Sequence, residues 1–212
     1  MLDFIKENKK PAIIIGAASF VSISLLFLKK NKSKSKITDK IVQVAYKYIG
    51  QTEIYQDKGY HDKKFEQKMK TVGWIGEKIV NGEVVRKGLP WCAYFVKLVF
   101  LEAFENEKRQ ILNRIMSGGS QRTFINFKKY EKKYDWFTTS NRPKKGSIAV
   151  WQSQKNKIYG HLGIVETITS NGFIAIEGNS GANPPRIKRV NGSFTEFNKT
   201  IGNKLIGFVN FI

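Results

Sequence analysis

Apolar and polar positions follow three different rhythms along this chain, and the changes of rhythm divide it. Pro11 to Leu28 is an apolar run of eighteen residues without a charge, bounded by Lys9-Lys10 and Lys29-Lys30. As a helix it would be about 27 Å long, close to the hydrocarbon thickness of a bilayer. A single transmembrane helix or signal anchor is therefore predicted at 11–28, after a basic N-terminus at 1–10. A cleaved signal peptide fits less well, because no small-x-small cleavage site follows the run. A self-repelling Lys/Ser/Asn tether occupies 29–36, so the folded domain is expected to span 37–212.

Inside that domain the first rhythm is helical. Ile41, Val44, Ala45, Tyr48 and Ile49 share a face after a Thr38-Asp39 N-cap, and Gly50 closes the segment. Residues 51–88 are polar, rich in Lys and Gly, with a short helix expected around Phe65 to Val72. A second strong helix starts at Trp91-Cys92 and runs toward Glu107, a third covers Arg109 to Met116, and Phe124 to Tyr134 forms another after the Ser117-Gly118-Gly119-Ser120 break. After Arg142-Pro143 the period falls to two, giving strands at 147–152, 160–168, 172–179 and 205–212. The connections are too short for helical crossovers. The predicted class is α+β, with N-terminal helices packed on an antiparallel sheet.

Composition narrows the function classes. The 212 residues carry 37 Lys plus Arg against 17 Asp plus Glu, a net charge of +20, of which the first 36 residues hold +6 and the domain +14. Long-range partners should be anionic: nucleic acid, anionic lipid or an anionic wall polymer. One Cys and two His exclude an intramolecular disulfide and a Cys/His zinc cluster.

The reactive side chains are few and well placed. Cys92 sits where Pro90-Trp91 hands over to a helix, beside first-turn N–H groups that favour a thiolate. His161, at the head of a strand, is the candidate base, and Glu177 and Asn179, at i and i+2, project to one side where either reaches an imidazole N–H. Parity tests this. A two-residue Asn171-Gly172 loop would put His161 and Glu177 on opposite faces, whereas a three-residue loop, Ser170-Asn171-Gly172, or an equivalent bulge, puts His161, Gly163, Val165, Glu177 and Asn179 on one face. An odd loop or a bulge is therefore required.

PWCAYFV (90–96), RPKKGSIAVW (142–151), GHLGIV (160–165) and IEGN (176–179), in this order, resemble the CHAP domains (cysteine, histidine-dependent amidohydrolase/peptidase) of peptidoglycan hydrolases, which are papain-like. The resemblance covers about 37–212. It implies Cys92 as nucleophile, His161 as base, Glu177 as the group that orients the imidazole, Asn179 as a supporting polar residue, and Gln51, in IGQTEI, as an oxyanion donor. It also implies a peptidoglycan amide as substrate, cut either between muramic acid and L-alanine or within the stem or cross-bridge peptide. Trp74, Trp91 and Trp151 are core or groove walls, with Trp91 the candidate substrate-contacting aromatic.

No cofactor is expected. Some relatives bind calcium before the nucleophile, and Asp57 and Asp62 lie in that region, but Lys58, Lys63 and Lys64 oppose cation capture. His61 is expected at the surface. The rival readings are a basic module that binds nucleic acid or anionic membrane without catalysis, although no nucleic-acid reading motif is present, and a cytosolic papain-like protease. The Lys-rich tether after the predicted span favours a C-terminus held inside the cell, which conflicts with a wall substrate unless the domain is exported, released at lysis or carried by a phage particle.

Overall fold

The computed structural model describes residues 36–54, 59–74, 78–85, 90–181, 184–198 and 202–212, all within one unit. The span predicted at 11–28, most of the tether, and Asp57 and Lys58 lie outside them. Among the described residues no helix is long and apolar enough to cross a membrane.

Helix α1 covers 36–46, beginning one residue before the predicted boundary, so Thr38 and Asp39 fall in its first turn rather than at its cap. Lys145 holds Asp39 at 2.6 Å. α2 (Lys63–Thr71) is capped by Asp62, whose carboxylate accepts from the Lys64 and Phe65 N–H groups. A β1 (Lys78–Val80) and β2 (Glu83–Val85) hairpin follows, turning at Asn81-Gly82 with both residues at positive φ. α3 (Cys92–Ala103) buries nine of its twelve residues, at roughly 1.5–3 kcal/mol for each large apolar side chain. It stops well short of Glu107, because Phe104 turns extended and packs against Phe100, Trp136 and Phe211. α4 (Asn106–Ile115) and α5 (Ser120–Tyr130) complete the helices, α5 starting four residues earlier than expected.

Six antiparallel strands form the main sheet in the order β3-β8-β4-β5-β6-β7: β3 (Phe137–Ser140), β4 (Ile148–Ser153), β5 (Gly160–Ile168), β6 (Gly172–Ser180), β7 (Arg186–Ser193) and β8 (Asn203–Phe211). Period two sorts the core. Ile148, Val150, Leu162, Ile164 and Ile176 join the helices in one cluster, while Ala149, Trp151, Val165, Phe173 and Ala175 form a second with Phe194 against it.

The β5–β6 register settles the parity question. The turn is a two-residue one, closed by the Thr169 N–H on the Gly172 carbonyl at 2.9 Å, and Ile168 and Thr167 pair with Phe173 and Ile174. Glu166 is then skipped, so Val165 pairs with Ala175 and Gly163 with Glu177. This bulge performs the parity change the sequence required, although the register differs by two residues from that of a three-residue loop. Its extra residue is anchored: the Glu166 carboxylate accepts from Arg189 Nε and Nη2 at 2.7 and 2.8 Å and from the Tyr46 hydroxyl. Burial opposes its charge, but Arg189 and Tyr46 outweigh burial and hold its pKa below the usual carboxylate range.

Candidate active site

Three elements converge on the sulfur. Cys92 is the first residue of α3, and Trp91 at the N-cap supplies no side-chain cap. The first-turn N–H groups are thus left to other partners, and that of Ala93 donates to the Cys92 sulfur. The Leu162 N–H of β5 donates to it as well, as does His161. The other side of the imidazole is taken: Nε2 donates to Glu177 Oε2 at 2.9 Å, which leaves Nδ1 for the thiol. Ser180 Oγ also donates to Glu177 Oε2, at 3.4 Å.

Electrostatics follow from these contacts. Burial by itself would raise the Cys92 pKa, but the hydrogen bond and charge of His161, with the two backbone N–H groups, outweigh it and bring the thiol below its ordinary value. Burial would likewise discharge His161, yet Cys92 and then Glu177 raise its pKa well above the usual histidine range. Both shifts favour a thiolate beside an imidazolium. Cys92 is 5% exposed and the His161 side chain 17%, so the charges are shielded while the imidazole keeps an open edge. A cavity of about 300 Å³ borders that edge, lined by Trp151, Glu177, Asn191, Glu196 and Asn203 among others.

Two glycines make the approach close enough. A Cβ on Gly163 would stand 2.9 Å from Glu177 Cγ, in the space the carboxylate crosses to reach His161. One on Gly178 would meet Phe95 Cβ and Trp91 Cζ3 at 2.8 Å, where β6 packs against α3.

The structure brings Cys92, His161 and Glu177 together in one hydrogen-bond chain and gives three other predicted residues different settings. Asn179 is not in the hydrogen-bond chain. It sits at φ +55° inside the β6–β7 irregularity between Glu177 and Ser180, a left-handed position Asn tolerates. Gln51 donates its side-chain amide to Asp62 at 2.9 Å. Trp91 requires a correction as the substrate-contacting aromatic: it is fully buried, donates Nε1 to Glu53 Oε2 at 2.9 Å and meets Tyr60 edge-on at 5.3 Å. Residues facing α2 and the core cannot also face a groove.

Trp151 is the aromatic the sequence reading placed too loosely. Its ring lies 5.7 Å from that of His161, and Nε1 donates to Glu196 at 2.5 Å. The signal was available in the strand pattern, since Trp151 and His161 pair across β4 and β5 and so share a face. Among the described residues no group of three His, Cys, Asp or Glu is arranged for a metal ion, and Asp62 is engaged as a helix cap. His61 is exposed.

Residues 84–179, which contain every member of this hydrogen-bond chain except Ser180, match the family model of the CHAP domain. Over this segment the chain is similar to CHAP domains. The CHAP family is hydrolytic, with amidase and peptidase activity directed at peptidoglycan. Gln51, β7 and β8 lie outside the matched residues. No curated protein and no solved structure matches the chain.

Proposed function

We propose that this protein hydrolyses an amide bond of peptidoglycan by thiol catalysis, with Cys92 as nucleophile, His161 as acid and base, and Glu177 as the group that orients the imidazole. The observation that carries this is one ring bridging two partners, His161 between the sulfur and a carboxylate 2.9 Å away. The thiolate attacks the scissile carbonyl carbon, and its π electrons move to the oxygen. Backbone N–H groups at the start of α3 hold that oxyanion. The tetrahedral species collapses as the imidazolium gives its proton to the departing nitrogen, releasing an amine and leaving a thioester. Neutral His161 then takes a proton from water, whose oxygen attacks the thioester, and the carboxylate product leaves with Cys92 and His161 restored as an ion pair.

The bond is that between muramic acid and L-alanine or one within the stem or cross-bridge peptide. The +14 domain favours an anionic polymer of this kind through attraction that weakens with salt. The apolar run 11–28 would tether the domain at the membrane of the cell envelope. Purified sacculi and casein, incubated separately with the full chain, test the reading. New primary amines from sacculi, with no new reducing ends and little casein cleavage, are expected. Casein cleavage without attack on sacculi would favour a general protease, and binding without amine release would favour a basic module.

A further inference from the structure

Three residues upstream of His161 the chain makes an expenditure that folding does not explain. Ile158 is 70% exposed and Tyr159 62%, the two most exposed large apolar side chains among the described residues. They are adjacent, at the tip of the β4–β5 hairpin, and two exposed cations, Lys155 and Lys157, precede them. Side chains presented this way, on a loop that leads directly into the strand bearing His161, are open to contact by a ligand.

The tip is built rather than loose. The Ser153 N–H donates to the Tyr159 carbonyl and the Tyr159 N–H to the Asn156 carbonyl, both at 3.0 Å. The Ile158 N–H donates to Asn156 Oδ1 at 3.1 Å, the Asn156 N–H to Ser153 Oγ at 3.3 Å, and Gln152 Nε2 to the Lys157 carbonyl at 3.0 Å. Backbone groups spent internally are not offered to a peptide strand, so the tip is poorly suited to binding a peptide by strand addition. What it offers is a flat phenol ring, an aliphatic neighbour and two ammonium groups. That set suits a sugar ring, whose C–H face stacks on an aromatic while its hydroxyl and amide oxygens accept from the ammonium groups.

The geometry points to Tyr159 and Ile158 as a platform for the glycan strand of peptidoglycan, flanked by Lys155 and Lys157, which holds the polymer while an attached amide reaches Cys92. The inference rests on the proposed hydrolase reading for its substrate, but it is tested by binding alone. The probe is peptide-free glycan strands, with intact sacculi in parallel, and the protein is the full chain carrying Cys92→Ala so that nothing is cleaved. Adding Ile158→Ser and Tyr159→Ala is expected to weaken binding to the peptide-free strands at least tenfold, with Tyr159→Phe retaining it. In the catalytically intact protein the same double change should raise KM for sacculi and leave kcat within about twofold. Undiminished glycan binding by the double variant overturns the platform. So does binding to intact sacculi with none to peptide-free strands, which would assign recognition to the peptide. A change from dimer to monomer with glycan binding unchanged would make the tip a contact between copies, and also overturns it. Failure of the wild-type chain to release amines from sacculi would remove the hydrolase reading and leave this binding result standing.

Discussion

Replacing Glu177 by Gln keeps the shape of the carboxylate and removes its charge from an imidazolium 2.9 Å away. The side chains of His161 and Glu177 are only 17% and 8% exposed, so solvent screens the interaction weakly. A hydrogen bond to a charged partner contributes about 1.5–3 kcal/mol net, and about 1.36 kcal/mol moves a pKa by one unit. The imidazolium should therefore lose its proton about 1–2 pH units lower in the variant. In the proposed mechanism activity requires thiolate and imidazolium together, so it should rise with pH as Cys92 ionises and fall as His161 discharges. The substitution acts on the second limb. In a pH profile of kcat/KM for amine release from sacculi, the basic limb should move down by about 1–2 units while the acid limb, set by the sulfur on the other ring nitrogen, moves little. A drop in kcat of about tenfold or more should accompany it, as the ring loses its orienting partner. A basic limb left in place, or moved upward, would refute the assignment of Glu177 as the partner that keeps His161 charged.

Gly163→Ala should reduce kcat at least tenfold with a modest fall in Tm, because its methyl carbon would lie 2.9 Å from Glu177 Cγ and divert the carboxylate from His161; a variant with full activity would show that this passage is not needed. Trp91→Phe should cost about 1–3 kcal/mol in denaturant unfolding, through the lost Nε1 bond to buried Glu53, with KM for sacculi unchanged; a raised KM with normal stability would restore Trp91 as a substrate contact. For Glu66, burial opposes ionisation, but Lys63, Lys70 and the Tyr60 N–H bring its pKa down to about 2 from 4.5. A carboxylate depressed in the folded state stabilises above its unfolded pKa and loses that contribution as pH falls through the folded one. Glu66→Gln should therefore lower stability by at most about 3 kcal/mol at pH 7, and the difference from wild type should shrink between pH 4.5 and 2; a difference constant with pH would contradict this.

Much of the arrangement was legible because it is periodic or obligatory. The β5 strand at 160–168 has the predicted bounds, and the need for an odd loop or bulge followed from the two-residue period before any bulge was seen. What the sequence did not disclose was which device would be used, because Glu166 is skipped to reach Tyr46 and Arg189, partners 120 and 23 residues away. β7 escaped notice because RIKRVNGS reads as a charged loop, its polar positions being those of an edge strand with one exposed face. The β1–β2 hairpin was missed although its Asn81-Gly82 turn is a strong local signal, obscured by the Lys-rich stretch around it. Trp91 was misread for a different reason: adjacency to Cys92 in sequence suggested adjacency to substrate, but residues at a helix start point in different directions, and the ring turns to Glu53 and Tyr60 while the sulfur turns to His161.

The proposed chemistry requires that the Cys92 sulfur ionise below the ordinary thiol range because His161 is charged beside it. The rate of Cys92 alkylation by iodoacetamide, followed from pH 5 to pH 9 in the wild-type chain and in His161→Ala, measures this directly. With the ion pair in place, wild type should react at a nearly constant rate well below the ordinary thiol range, losing activity one for one with labelling. His161→Ala should regain a rate that climbs with pH toward 9. A wild-type rate that rises about tenfold per pH unit from pH 5 to about pH 8, as for an unassisted thiol with its pKa near 8.5, would contradict the account.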